Sequence, residues 1–143
     1  MRYELRPVTA DDLAFLWGLK IKTLKDYIDQ TFGWDDNVAM WYLEEGLPGT
    51  EIVLIDQQPV GQLKVVEEDD ELYLSEIGLM PQFQGCGIGG GIIRDIQDNA
   101  RSLGKTVRLQ VMKVNPAKRL YERLGFEQYD ESETHYKMRW MPK

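Results

Sequence analysis

The chain reads LMPQFQGCGIGGGIIRDI from residue 79 to residue 96. Five of the eight residues from 84 to 91 are glycine, an apolar run precedes them, and a run with helical spacing follows. Glycine at a strand-to-helix junction lets backbone N–H groups approach an anion, and the amino-terminal end of the helix carries a partial positive charge. This stretch therefore predicts an anion-binding loop; a tight turn that uses glycine for backbone geometry alone is the alternative.

The composition predicts a single acidic domain that covers residues 1–143. Of its 143 residues, 43% are hydrophobic and 29% charged, and the formal net charge is −7. Basic residues never occur in runs longer than two, which argues against nucleic-acid binding. The single cysteine excludes an intrachain disulfide, and no apolar run is long enough for a membrane span or a signal peptide. We expect a cytoplasmic protein that has no membrane partner.

Hydrophobic periodicity predicts an α/β domain with the element order β-α-α-β-β-β-α-β-α-β-β. The first helix is indicated by residues that recur at helical spacing, namely Leu13, Leu16, Trp17, Lys20, Ile21 and Leu24. A joint over residues 26–37 separates it from a second short helix, and we expect Trp17 and Trp41 to lie in the core. Further along, Asn115 is the predicted N-cap of a helix that stops at Gly125.

Two nucleotide-binding motifs compete for the glycine-rich stretch. Residues 85–90 satisfy G-x-G-x-x-G, but several strands with hairpin-length joints precede them, and no acid ends the following strand, as a dinucleotide fingerprint requires. A phosphate-binding loop of the Walker type is suggested by Gly104, Lys105 and Thr106, yet the first glycine of that pattern would fall on Asn99. Both interpretations are weak.

A third pattern fits better. Residues 82–87 read QFQGCG, which is Q-x-x-G-x-G, and residues 84–89 repeat that pattern in a second register. Some thirty residues later the chain reads NPAKRLYERLGF over residues 115–126. Together these stretches resemble the acetyl-CoA-binding core of the GNAT N-acetyltransferase superfamily. The resemblance implies a single-domain α/β fold, with a mixed, mostly antiparallel central sheet of about seven strands and about four helices on its two faces.

The resemblance also implies a binding site for acetyl-CoA as co-substrate, without a metal. In that family the loop amides hold the pyrophosphate, which here implicates Gln84, Gly85, Cys86, Gly87, Ile88, Gly89 and Gly90. The preceding strand binds the pantetheine arm, which implicates Ile77, Gly78 and Leu79; a glycine within a strand also suggests a bulge or a close backbone approach. Asn115 would contact the arm, although capping a helix would explain it equally. Cys86 departs from the family, whose loops often carry Lys or Arg there.

Two residues are candidates for catalysis. Tyr121 occupies the position that often serves this family as general acid. The chemistry is suitable, because a phenol with an unperturbed pKa of about 10 is protonated at neutral pH and can donate to the leaving thiolate. Packing of the helix is the alternative role. Gln110 stands where some relatives carry a glutamate base, so Glu76 is the best remaining carboxylate; a solvent-facing strand residue is the alternative. His135, the only histidine, is expected to be structural.

The joint over residues 26–37 is the predicted acceptor side. It combines aromatic and acidic side chains, which suit a cationic amine; a plain helix connector is the alternative. The residues proposed to bind the acceptor are Tyr27, Phe32, Trp34 and Asp35.

The sequence thus predicts an N-acetyltransferase that moves an acetyl group from acetyl-CoA to a primary amine by direct attack in a ternary complex. The acceptor is a small-molecule or peptide amine, and the resemblance allows a homodimer. Two alternatives stay open: a catalytically idle acyl-CoA-binding or regulatory module of the same fold, and a dinucleotide-binding enzyme.

Overall fold

The structure, a computed structural model, describes residues 2–143. The strands are β1 (Glu4–Pro7), β2 (Glu51–Ile55), β3 (Gln58–Glu67), β4 (Glu71–Leu79), β5 (Thr106–Met112), β6 (Glu127–Glu131) and β7 (His135–Trp140). The helices are α1 (Leu13–Thr23), α2 (Lys25–Phe32), α3 (Asp36–Glu45), α4 (Ile88–Leu103) and α5 (Lys118–Arg123). No helix in this described part of the chain has the length and apolar character needed to cross a membrane.

The seven strands form one mixed sheet in the order β1-β2-β3-β4-β5-β7-β6. β4 and β5 pair in parallel, whereas the β1–β2, β2–β3, β5–β7 and β6–β7 pairs are antiparallel. The predicted α/β class with a mixed, mostly antiparallel sheet of seven strands is confirmed. This order differs from a doubly wound parallel sheet, so the dinucleotide-binding alternative loses its structural basis.

The chain forms two compact units, of which the first holds the residues up to Lys64 together with Glu76–Gly89. Its core contains Leu16 and Leu19 from α1 and Ile52 and Leu54 from β2. Before α1, the Arg6 guanidinium donates two hydrogen bonds of 2.8 Å to Asp12, whose carboxylate also accepts the N–H of Thr9. This cap fixes the start of the helical region because it satisfies an otherwise orphaned backbone N–H group.

The joint predicted over residues 26–37 is largely helical, and the structure has five helices where about four were expected. The predicted interruption is short because α1 ends at Thr23 and α2 begins at Lys25 and continues to Phe32. Gly33, at φ 82°, ends α2, and Asp35 caps α3 by accepting the N–H of Val38 at 3.0 Å.

The expectation that Trp41 lies in the core is also wrong. Trp41 is 56% exposed, whereas Ala39, two residues earlier on α3, is buried. Two residues on a helix are about 200° apart, so burying Ala39 turns Trp41 towards solvent. Trp17 is partly buried, in contact with the Trp34 ring.

The second unit comprises Val65–Ser75 and Gly90–Lys143. Helix α4 buries Ile92, Ile93, Ile96 and Ala100, which recur on one face. Helix α5 begins at Lys118, two residues later than an N-cap at Asn115 would require; the Asn115 side-chain oxygen instead accepts the Ala117 N–H at 2.9 Å within the preceding turn. Gly125 follows the helix at φ 92°, as predicted for its stop.

Candidate functional site

The glycine-rich loop connects β4 to α4 and presents open backbone. A 3-10 turn over Pro81–Phe83 leads into it, and α4 begins at Ile88. Gly85 and Gly87 have φ values of 75° and 86°, and a Cβ added to either would meet no atom within 4 Å. Positive φ is costly for residues with a side chain, so these two positions require glycine for their conformation and leave the space beside them free.

The loop side chains turn back onto the protein. Gln84 Nε2 donates to the Leu79 carbonyl at 3.0 Å, and Cys86 Sγ donates to the Phe83 carbonyl at 3.1 Å. The first contact attaches the loop to the end of β4, and the second attaches it to the 3-10 turn. They bring together the predicted arm-binding strand and the predicted pyrophosphate loop within the first unit.

The backbone N–H groups of the loop remain available as hydrogen-bond donors. Throughout residues 2–143, no protein group accepts a hydrogen bond from the N–H of Gly85, Cys86 or Gly87. Gly87 precedes α4 and has no side chain with which to cap the first turn, and that turn contains no acid. Unpaired N–H groups beside the positive end of a helix dipole fit an anionic group such as a pyrophosphate.

A close approach occurs between β3 and β4, but at a different glycine from the one expected. A Cβ on Gly61 would lie 2.2 Å from the Gly78 carbonyl oxygen, whereas a Cβ on Gly78 would meet only a Leu19 methyl group at 3.9 Å. Gly61 is therefore the glycine that the backbone contact requires. Of the predicted arm residues, Leu79 is buried, and Ile77 and Gly78 are half-buried.

A cavity of about 140 Å³ opens in the first unit. Its apolar wall consists of leucines from α1 and α3 and the chain just after them, and its polar groups come from α1, α3, β3, β4 and the residue before β2. The lining residues are Leu16, Lys20, Leu24, Tyr42, Leu43, Gly46, Leu47, Thr50, Gln62 and Glu76. Glu76 alone among the predicted site residues lines it.

The charged groups of this cavity influence one another. Glu76 is exposed as a residue, while desolvation of its carboxyl group raises its pKa against the opposing charges of Lys20 and Lys64. Burial lowers the pKa of Lys20, and the Glu76 charge opposes that shift. Lys20 Nζ donates to the Ala39 carbonyl at 3.1 Å, and Lys64 Nζ donates to the Gly46 carbonyl at 3.0 Å.

The other predicted catalytic residue belongs to the second unit. Tyr121 on α5 is 8% exposed, and its ring meets Phe126 edge to face at a centroid distance of 5.9 Å. His135 Nδ1 lies 2.8 Å from Thr134 Oγ1, and burial lowers its pKa. Gln110 is exposed on β5, opposite Lys137 of β7.

The four predicted acceptor residues lie outside the cavity lining. Trp34 packs on Trp17 at 5.8 Å and donates from Nε1 to Asp36 at 2.7 Å. Asp35 caps α3, and Phe32 is 63% exposed. Tyr27 is half-buried on α2.

Arg94 is the basic residue nearest in sequence to the glycine-rich loop. No Lys or Arg occurs in residues 65–93. The Arg94 Nη1 atom lies 3.6 Å from the point that a Cβ of Gly90 would occupy, so the guanidinium folds back towards the start of α4. Within residues 2–143 it has no hydrogen-bond or ion-pair partner. A free cation at the positive end of a helix is unfavourable unless an anion also binds there.

Sequence reasoning missed Lys20, Gln62, Lys64 and Gly61. A signal for Lys20 was present, because this lysine interrupts an apolar stripe on one helix face. The other three depend on which strands are neighbours. Within the described residues, no group of three or more His, Cys, Asp or Glu side chains is arranged to hold a metal ion.

Residues 40–128 match the family model described as acetyltransferase (GNAT) domain, and the chain belongs to this family. It is 34% identical over 68 residues to the [ribosomal protein bS18]-alanine N-acetyltransferase of Haemophilus influenzae, which covers 47% of each chain. It is 29% identical to an uncharacterized N-acetyltransferase of Methanocaldococcus jannaschii in an alignment of 139 residues that covers 88% of the present chain. The chain spans 47% and 61% of the length of these two relatives.

The fold is also that of a solved acetyltransferase structure. The PaiA N-acetyltransferase of Thermoplasma acidophilum, crystallised in complex with coenzyme A, superposes with a TM-score of 0.77 over 99% of both chains. Its sequence identity is 16%, so this similarity establishes the fold alone.

Proposed function

We propose that residues 1–143 form one acetyl-CoA-dependent N-acetyltransferase domain that acetylates a primary amine in a ternary complex. The observation that carries this proposal is the loop after β4, in which the N–H groups of Gly85, Cys86 and Gly87 have no protein acceptor and the space beside Gly85 and Gly87 is open. Membership of the GNAT family supports the same conclusion. So does the coenzyme A bound to the PaiA enzyme of the same fold.

The coenzyme is assigned to the end of β4 and the loop that follows. The pyrophosphate lies on the residues Gln84, Gly85, Cys86, Gly87, Ile88, Gly89 and Gly90. The pantetheine arm follows the backbone of Ile77, Gly78 and Leu79. The side-chain NH2 group of Asn115 donates to the arm, since the side-chain oxygen of Asn115 already accepts the Ala117 N–H. Arg94 supplies the positive charge that Cys86 does not.

Bound acetyl-CoA supplies an electrophilic thioester. The neutral acceptor amine forms a C–N bond to the thioester carbonyl carbon, and the C–S bond to coenzyme A breaks. Glu76 accepts the proton that the amine loses, directly or through a water, because its raised pKa makes it a better base than an ordinary glutamate. Tyr121 donates a proton to the leaving sulfur. The cavity beside Glu76 receives the acceptor.

The acceptor is a primary amine carried by a small molecule or a peptide. The Haemophilus influenzae relative is named for the alanine of a ribosomal protein, which supports an amine on a polypeptide as one option. A catalytically idle module that binds acyl-CoA is the second candidate, and Gln110 at the position of a family base favours it.

Calorimetric titration with acetyl-CoA, with NAD as control, tests the proposal. We expect saturable binding of acetyl-CoA, no binding of NAD, and a loss of binding in Gly87→Ala. Gly104→Ala is the matched control, because Gly104 also has positive φ and open space around it but ends α4 rather than preceding it. Absence of acetyl-CoA binding by folded protein contradicts the proposal. If acetyl-CoA binds but no added amine causes release of the CoA thiol, the result supports the idle module.

A further inference from the structure

Two lysines and one glutamate lie in or near the acceptor cavity. Lys20 and Glu76 line it, and Lys64 is close enough to act on the Glu76 carboxylate while its ammonium is held by the Gly46 carbonyl. Two ammonium groups thus face one carboxylate. If Glu76 receives the acceptor amine, as proposed above, this excess of positive charge remains unmatched.

Lys20 forms no ion pair, although the charge of Glu76 acts on it from a longer distance. Its ammonium makes one hydrogen bond, to the Ala39 carbonyl, and retains further N–H donors. No carboxylate of residues 2–143 lies within 4.0 Å of Lys20 Nζ. The side chain is half-buried, and the cavity wall beside it is built from leucines. Removing an ammonium from water in this way is unfavourable unless an anion compensates it.

We propose that the acceptor carries a carboxylate next to its amine, and that Lys20 binds this carboxylate while Glu76 faces the amine. This inference rests on the proposed acetyltransferase function and narrows its substrate to an amino acid. The cavity volume of about 140 Å³ suits one molecule of that size. Its leucine wall suits an apolar side chain. Polyamines and other polycations are disfavoured, since their second ammonium would meet Lys20 and Lys64.

The test compares three related amines: L-leucine, L-leucinamide, which lacks the carboxylate charge, and 3-methylbutylamine, which lacks the carboxyl carbon. CoA thiol release is measured for each at matched concentrations of the neutral amine. We expect kcat/KM for L-leucine to exceed that of the other two by about tenfold or more, as for a hydrogen bond to a charged group.

Substitutions then assign the effect to Lys20. Lys20→Met should remove the preference for L-leucine over L-leucinamide, mainly through the KM for L-leucine. Lys20→Arg should retain the preference. Lys22→Met, an exposed lysine on the same helix, is the matched control and should behave as the unmodified protein. Titration of L-leucine into protein saturated with CoA provides a readout without turnover, in which binding weakens in Lys20→Met alone.

Three results would each overturn the inference. The first is equal rates on L-leucine and L-leucinamide, and the second is an unchanged preference for L-leucine in folded Lys20→Met. The third is acetylation of a peptide amino terminus by a protein that acetylates no free amino acid. Binding of acetyl-CoA without acetylation of any of these amines also overturns it. A protein that does not bind acetyl-CoA at all fails at the earlier step, so the two failures are distinguishable.

Discussion

Glu76 on β4 and Lys20 on α1 line the same cavity, and the charge of each favours the ionised form of the other. Burial acts in the opposite sense on both, and it is the larger influence on each pKa. The raised pKa makes the Glu76 carboxylate a stronger proton acceptor than an ordinary glutamate, as a general base requires.

Replacing Glu76 should impair turnover rather than coenzyme binding. We expect Glu76→Gln to lower kcat about 100-fold or more, which is typical of a lost general base, while acetyl-CoA affinity stays within about twofold. Steady-state kinetics and calorimetry measure the two quantities. A variant with unchanged kcat would show that the amine needs no base from the protein.

The pH dependence of kcat should report the protonation of Glu76. As the solution is acidified, the Glu76 carboxylate becomes protonated at a higher pH than the carboxylate of an ordinary glutamate, because the pKa of Glu76 is raised. The value of kcat should fall as this protonation occurs. Lys20→Met removes a positive charge that lowers this pKa, so the acidic limb should move to higher pH. Lys22→Met is the control, and an identical limb in Lys20→Met and Lys22→Met would contradict the coupling.

Tyr121→Phe should separate packing from chemistry. The phenyl ring keeps the edge-to-face contact with Phe126, so we expect the packing of these two rings to be retained. Loss of the hydroxyl should lower kcat about 100-fold if it protonates the leaving sulfur. Tyr129→Phe, on the exposed strand β6, serves as control. Full activity of Tyr121→Phe would leave Tyr121 a packing residue only.

Arg94→Ala should weaken acetyl-CoA binding about threefold to tenfold and reduce its dependence on salt, because a charge-assisted contact to phosphate is lost. Arg101→Ala is the matched control: it lies on the same helix, but its guanidinium pairs with Asp98 at 2.8 Å. Equal affinities of the two variants would mean that the loop amides bind the phosphates unaided.

Much of the fold could be predicted from the sequence because its signals are local. Strand and helix periodicity predicts the seven strands, and the glycine run marks the turn into α4. The connection between α1 and α3 was misjudged because its polar residues suggested a loop, whereas a single irregular residue, Leu24, separates two helices. Local polarity does not distinguish a loop from an exposed helix.

The site was only partly predictable, because its parts come from different elements. The glycine loop is contiguous in sequence and was identified from its own residues. The cavity joins Lys20, Gln62 and Glu76 from α1, β3 and β4, and its existence depends on strand order. Trp34 and Asp35 had the chemistry of an acceptor site, yet their hydrogen bonds serve the start of α3.

The contact between Gly61 and Gly78 provides a structural prediction. A Cβ at residue 61 would lie 2.2 Å from the Gly78 carbonyl oxygen and 2.8 Å from a Leu79 methyl group, so β3 and β4 must move apart in Gly61→Ala. We expect the free energy of unfolding to fall by about 2–3 kcal/mol, as for an overpacked core. Urea denaturation measures this change.

Gly18→Ala is the control, since a Cβ there meets no atom within 4 Å and helix α1 should gain up to about 1 kcal/mol. Because Gly78 belongs to the strand assigned to the pantetheine arm, Gly61→Ala should also weaken acetyl-CoA binding, whereas Gly18→Ala should not. A Gly61→Ala protein of full stability and full affinity would show that the two strands can separate without cost. The backbone of residues 77–79 would then have no role in positioning the coenzyme.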